Sequence, residues 1–228
     1  MPLALGLGLS LFLGFWADGS LVAAPLRLAT FRCDTTPWKG EPLVWTARLV
    51  KAETPLLAKG LILAEGTNRF VLCAFDWCLM GNDSDLLFRK ALATAVGTDP
   101  ARVAIQCIHQ HAAPYADEGA HQLLDAAPQP PPHLSHEFLD SLRQQLAAAA
   151  RAAADRLEPF NRVGTGQARV ERVASARRLK DENGQPITRY SNGAKSPQMA
   201  QAPEGLIDPW LKTITFARND KPLVRLHY

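Results

Sequence analysis

The sequence of 228 residues has little of what marks a nucleic-acid-binding protein. Its net charge is only +3, and its lysines and arginines form neither a run nor a stripe interleaved with aromatic residues. The composition therefore argues against a nucleic-acid partner. With 47% hydrophobic and 21% charged residues, the chain is neither disordered nor membranous overall. Its length is sufficient for one domain with a sizeable core, and it shows no internal repeat.

Cysteine is also scarce, with four residues in the chain. Cys73, Cys78 and Cys107 lie in or beside apolar, strand-like segments, where a free thiol behaves as a small hydrophobic group. The four residues between Cys73 and Cys78 do not give the spacing of a standard zinc-binding pair. We expect these cysteines and Cys33 to be buried free thiols, although export of the protein would permit a disulfide.

Long hydrophobic runs are missing except at the N-terminus. Residues 3–16 are almost wholly apolar, and the small residues at 22–24 suit a signal peptidase. The run of about 14 residues is shorter than the roughly 20 that a spanning helix needs. We therefore predict a signal peptide over residues 1–24 and a secreted or periplasmic protein. Because no lysine or arginine precedes the run, an uncleaved N-terminal anchor is the alternative.

The sharpest chemical signal is the segment at residues 103–117, VAIQCIHQHAAPYAD. Apolar residues on both faces of 103–108 predict a buried strand, which must end before Pro114. Residues i and i+2 of an extended chain point to the same side, so His109 and His111 should leave the strand end on one face. Two imidazoles suit a metal, although a catalytic zinc typically has three protein ligands. The alternative is a pair of polar residues satisfied by loop carbonyls.

The segments before this motif predict an α/β fold with mixed β-sheets covered by helices. Residues 58–65 and 69–76 should form a β-hairpin. A helix between N-cap residues 82–84 and Gly97 should then lead to 103–108, which makes the two flanking strands parallel. Asp76, at the end of the predicted strand 69–76, could orient a metal-bound histidine or cap the next loop.

The segments after the motif give a further set of predictions. Residues 117–133 are expected to form a long loop, which is either a lid or substrate wall or a surface excursion. The nearby His121, His133 and His136 are expected to be solvated side chains. Ser135 should cap a helix over 136–157. The remaining predicted strands are 43–50, 162–173, a hairpin around the turn at 181–184, and a last hairpin of 211–217 and 222–228. Because the chain stops inside that strand, we expect a fragment.

Four stretches, in order along the chain, resemble the neutral/alkaline (non-lysosomal) ceramidases, and more closely the bacterial proteins with a ceramidase-like N-terminal domain. They are residues 31–37 (FRCDTTP), Asp76 within FDWCLM, residues 107–114 (CIHQHAAP) and residues 204–209 (EGLIDP). The resemblance runs from about residue 26 to residue 228. It implies that 25–228 is the N-terminal part of a ceramidase-like catalytic domain, incomplete at its C-terminus.

The resemblance implies a zinc-dependent amidase that hydrolyses the N-acyl bond of ceramide or a related N-acyl substrate. His109 would ligate the Zn²⁺ ion and His111 would line the substrate site as a catalytic residue. Arg178, or Arg177 if the register slips by one, would contact the lipid-like substrate, with peripheral membrane contact as a further expectation. The other zinc ligands would lie beyond Tyr228, so the fragment alone should bind zinc weakly and be inactive. The alternative is a non-catalytic exported binding or cell-surface module that retains the fold.

Overall fold

The computed structural model describes residues 24–44, 48–190 and 197–228, so the predicted signal peptide lies almost entirely outside the described residues. The strands are β1 (Leu26–Asp34), β2 (Leu57–Glu65), β3 (Asn68–Phe75), β4 (Leu79–Met80), β5 (Val103–Cys107), β6 (Tyr115–Ala116), β7 (Glu158–Pro159), β8 (Arg162–Arg169), β9 (Arg178–Lys180), β10 (Pro186–Thr188), β11 (Trp210–Arg218) and β12 (Lys221–His227). The helices are α1 (Asn82–Val96), α2 (Glu118–Asp125), α3 (His136–Ala154) and α4 (Pro197–Gln201). Among the described residues, no helix combines the length and apolar character needed to cross a bilayer.

The largest sheet has five strands in the order β5-β3-β2-β1-β7. Its pairs are antiparallel except β3 and β5, which run parallel and are joined by helix α1. This confirms the predicted hairpin, the helical crossover and the mixed α/β class. A three-stranded sheet, β12-β11-β8, and two small two-stranded sheets complete the described strands.

Helices cover one face of the five-stranded sheet, and the three-stranded sheet packs on the other. Phe31 of β1 belongs to one buried cluster with Phe88 of α1 and Leu142 of α3. The neighbouring Leu28 points the opposite way and is buried with Phe216 of β11. Successive strand residues alternate between faces, so the alternation in β1 serves both layers.

Local signals define the two long helices. Gly97 ends α1 with a φ of 70°, a left-handed conformation that glycine adopts without steric cost. The N-cap of α1 is Gly81, without a side-chain cap, so the predicted N-cap at residues 82–84 was wrong by one position. Ser135 caps α3 as predicted, because its Oγ accepts a hydrogen bond from the Phe138 N–H at 3.3 Å. Helix α3 ends at Ala154, three residues before the predicted limit.

Strand β5 lies at the edge of its sheet, with β3 as its partner. Ala104 and Gln106 are exposed, while Val103 is buried and Ile105 is half-buried. The prediction of a strand buried on both faces was therefore wrong. A short apolar run does not reveal whether a second strand lies beside it, and α1 covers only one face here.

The predicted long loop after the histidine pair contains helix α2. Its N-cap is Asp117, whose carboxylate accepts a hydrogen bond from the Ala120 N–H at 3.2 Å. His121 of this helix is only 1% exposed, and the side chain of His133 is 12% exposed, so the prediction of solvated side chains was wrong for these two residues. The predicted strand at 43–50 is replaced in the described residues by one isolated bridge between Pro42 and Arg48. The four cysteines are free, as expected.

Candidate metal centre

The histidine pair lies at the carboxyl end of the parallel strands β3 and β5. Phe75 and Cys107 are paired at the ends of the two strands. The chains remain tied beyond that point, because the Ile108 N–H donates to the Phe75 carbonyl and the His109 N–H donates to the Trp77 carbonyl, both at 3.1 Å. Ligands of open α/β sheets bind beyond the carboxyl ends of the strands, so this edge is the expected place for a site.

His109 and His111 are close together, as the sequence predicted, but a turn rather than a strand pleat places them. His109 has a φ of 64°, in the left-handed region that residues other than glycine rarely adopt. The two Nε2 atoms are 3.4 Å apart, and the ring centroids are 5.0 Å apart with an interplanar angle of 82°. Both side chains are exposed, so a ligand can approach them from solvent.

Cys78 is the third member of this group. Its Sγ lies 3.5 Å from the Nδ1 of His109, and one donor atom from each of Cys78, His109 and His111 lies within 4.8 Å of the others. Cys78 was predicted only as a buried thiol and not as a site residue, because 31 positions separate it from His109. The signal that could have indicated Cys78 as a site residue is its position two residues after Asp76. A residue just past the end of β3 lies beside the end of β5, because the two strands are paired.

A hydrogen bond orients the ring of His109, and burial acts on the thiol of Cys78. The Nδ1 of His109 lies 2.9 Å from the carbonyl oxygen of Cys78, to which an Nδ1–H donates. That bond leaves the lone pair on Nε2 facing His111. Burial raises the pKa of the Cys78 thiol, and a cation beside the sulfur acts in the opposite direction.

Asp76 and Gln110 hold the backbone that carries these groups. The Asp76 carboxylate accepts a hydrogen bond from the Leu57 N–H at the start of β2, at 3.0 Å. This bond is neither to His109 nor to the loop after Asp76, so both predicted roles of Asp76 stay predictions. The Asp76 carbonyl accepts from the Nε2 of Gln110 at 3.0 Å, and the Oε1 of Gln110 accepts from the Ala112 N–H at 2.9 Å. Gln110 thus fastens the loop on both sides of His111 to the end of β3.

A cleft of about 160 Å³ adjoins the group. It is lined by Cys78, Leu79, Met80, Ile105, Gln106, Cys107 and His109. Burial raises the pKa of Cys107 to about 12, so this thiol is an inert part of the wall. The volume is below the roughly 300–1,000 Å³ of pockets for drug-sized ligands. As the described residues form it, the cleft therefore has room for only part of a drug-sized molecule.

Arg177 and Arg178 lie elsewhere, at the start of the small β9–β10 hairpin. Both are exposed, and Arg178 pairs with Thr188 in that hairpin. The backbone carbonyl of Arg177 accepts a hydrogen bond from the Arg189 N–H at 2.7 Å. Neither arginine lines the cleft beside His109, so their contact with substrate stays a prediction.

The fold and the site together define an α/β protein with a candidate metal centre at its strand ends. No family model matches the sequence, and no curated protein matches it significantly. The structure is similar to that of neutral ceramidase from Pseudomonas aeruginosa, with a TM-score of 0.57 and 16% identity, over 86% of this chain and 30% of that one. It is also similar to a ceramidase complexed with C2, with a TM-score of 0.58 and 16% identity, over 90% of this chain and 31% of that one. The protein therefore has a ceramidase-like fold and spans under a third of those chains.

Proposed function

We propose that this chain is the N-terminal part of a zinc-dependent amidohydrolase that cleaves the N-acyl amide bond of ceramide or a related N-acyl substrate. The observation that carries the proposal is the convergence of Cys78, His109 and His111 at the end of the parallel strands. The ceramidase-like fold supports it, because the two similar structures are both of ceramidases. Export by the predicted signal peptide is part of the same proposal.

The residues present fit a zinc ion. Thiolate sulfur and imidazole nitrogen are ligands that zinc prefers, whereas magnesium and calcium take oxygen. His109 has its Nδ1 paired with a carbonyl, as in most zinc-bound histidines, which fixes the ring and leaves Nε2, the nitrogen that faces His111, as the one to coordinate. We assign His109 and Cys78 as ligands, and His111 as the residue that serves the substrate.

Zinc in this position would supply Lewis acidity toward an amide carbonyl and toward water. The protein supplies the orientation. His111 is exposed with its Nε2 3.4 Å from that of His109, so it can donate a hydrogen bond to the oxygen on which charge develops, or relay a proton. The apolar side chains of Met80 and Ile105 in the cleft wall offer a surface for the acyl part of the substrate.

The first test measures metal binding by the 228-residue chain. We expect the zinc held by this centre to be lost in the Cys78→Ser and His109→Ala variants and kept in His227→Ala, whose exposed imidazole bonds to Thr213 in the β12-β11-β8 sheet. Cobalt substitution should give a thiolate-to-cobalt charge-transfer band that Cys78→Ser removes and Cys107→Ser retains. A cobalt complex without this band, together with wild-type zinc affinity in His109→Ala, would refute the assignment.

The second test concerns turnover and uses the full-length product of the source gene. We expect it to release fatty acid from an N-acylsphingosine, measured by mass spectrometry. His109→Ala should abolish both metal and activity. His111→Gln should keep the metal and lower kcat by about 10²–10³-fold, the usual effect of removing one oxyanion donor. Zinc binding without any N-acyl hydrolysis would favour the alternative of a non-catalytic binding module.

A further inference from the structure

A second cluster of histidines lies on helix α2 and at the start of α3. It consists of His121, Asp125, His133 and His136. The ring centroids of His121 and His133 are 4.8 Å apart, and that of His136 lies 6.3 Å from the first and 6.5 Å from the second. His121 and Asp125 are four residues apart on α2, so they share one face of that helix.

Asp125 bridges the two outer histidines. Its carboxylate oxygens lie 2.9 Å from the Nε2 of His133 and 2.8 Å from the Nε2 of His136. The Nδ1 of His133 also lies 3.0 Å from the Pro131 carbonyl oxygen. Both nitrogens of His133 therefore face acceptors, although its side chain is only 12% exposed. The donor atoms gathered at this place are imidazole nitrogens and carboxylate oxygens.

His121 supplies the observation that points to a ligand. It is 1% exposed, and its Nδ1 has no hydrogen-bond partner in the described part of the chain. The other nitrogen has only a long contact of 3.5 Å with the Asp117 N–H. A buried polar atom without a partner destabilises the fold unless a ligand satisfies it.

The three ring separations lie just below or just above the spacing that imidazoles have on one shared ion. With a zinc–nitrogen distance of about 2.0–2.1 Å, two imidazoles on one tetrahedral zinc have ring centroids roughly 5–6 Å apart. The separations here are 4.8, 6.3 and 6.5 Å. The rings must turn for their nitrogens to face one point. His136 is free to do so, because its side chain is 44% exposed.

We propose that His121, Asp125, His133 and His136 form a second site for a divalent transition metal, occupied by Zn²⁺, separate from the centre at His109. On binding, the Nε2–H groups of His133 and His136 lose their hydrogen bonds to Asp125 and give their protons to water. The proton on Nδ1 of His121 moves to Nε2, which gives up its long contact with the Asp117 N–H. Nitrogen–zinc and oxygen–zinc bonds replace them. The ion would tie the end of α2 to the beginning of α3 across the proline-rich connection.

The test removes the first centre and counts the zinc that remains. A Cys78→Ser/His109→Ala/His111→Ala variant of the 228-residue chain is freed of metal with a chelator and titrated with zinc by calorimetry. We expect about two zinc ions in the wild type and about one in this variant. Loss of even a supporting residue weakens metal binding by about 10–100-fold, so adding His133→Gln/His136→Gln should remove the remaining ion at micromolar zinc.

Two controls keep the result interpretable. His227→Gln, placed in the same background, should leave the remaining ion bound. His136→Gln alone changes an exposed side chain, and circular dichroism checks that it folds, so its weaker zinc binding reports on coordination. The proposal is overturned if the variant without the first centre binds no zinc, or if its zinc survives loss of both His133 and His136. A wild type whose single zinc is lost with those two residues would instead overturn the assignment at His109.

Discussion

Gln110 should control how firmly the histidine pair is held. Its side chain makes two hydrogen bonds, one to the Asp76 carbonyl and one from the Ala112 N–H. Each such bond contributes about 0.5–1.5 kcal/mol, so Gln110→Ala should lower the free energy of unfolding by about 1–3 kcal/mol. For a chain of this size that corresponds to a fall in Tm of roughly 2–12 °C. Because the loop carrying His111 is freed at the same time, zinc affinity should fall by about 10–100-fold.

Gln145→Ala is the matched control, since it makes the same chemical change on the surface of α3. The Gln145 side chain is exposed and, within the part of the chain that the structure describes, bonds only to the Ser141 hydroxyl, at 3.0 Å. Its replacement should change stability by less than about 0.5 kcal/mol. Thermal unfolding by circular dichroism and zinc titration of both variants give the comparison. Equal melting temperatures and equal zinc affinities in the two variants would show that Gln110 does not organise the site.

Two further predictions concern packing and pH. An added Cβ at Gly60 would lie 2.0 Å from the ring of Phe31 on the paired strand, so Gly60→Ala should destabilise the fold by about 1–3 kcal/mol in denaturant melts. Gly164→Ala, with open space around its Cβ, should not, and equal losses would contradict the packing argument. A hydrogen bond from Lys212 lowers the pKa of Asp208 from its ordinary 3.8, so the pair stabilises the fold above that pH and this contribution is lost as the pH falls through the lower folded value. Lys212→Met should raise the pKa of Asp208 in an NMR titration, and an unchanged pKa would exclude the bond in solution.

Features with a local cause were predictable from the sequence. The β2–β3 hairpin follows from two apolar runs around a short polar turn, and helix α3 from its serine cap and apolar stripe. The parallel pairing of β3 with β5 follows from the helix between them, because such a crossover places the two strands side by side in one direction. These features place His109 at the carboxyl end of the parallel strands β3 and β5, where the sequence predicted it.

Features that depend on distant neighbours were not predictable. The edge position of β5 is decided by which strands pair with it, and its own residues do not record that. Helix α2 is short and contains Gly119, so its intrinsic signal is weak next to the proline-rich segment that follows. The burial of His121 and the approach of Cys78 to His109 arise only when separate elements pack together.

The left-handed backbone at His109 has a consequence for the affinity with which this residue would bind a ligand. That conformation costs about 1–2 kcal/mol in a residue other than glycine, and the hydrogen bonds of His109 to Trp77 and Cys78 hold it in place. The ring is thus ordered during folding rather than on binding. Immobilising a mobile side chain at a binding site costs about 0.5–1.5 kcal/mol, which is up to roughly tenfold in Kd. The imidazole of His109 is therefore already ordered in the folded chain. A ligand that binds there does not bear the entropic cost of fixing this side chain.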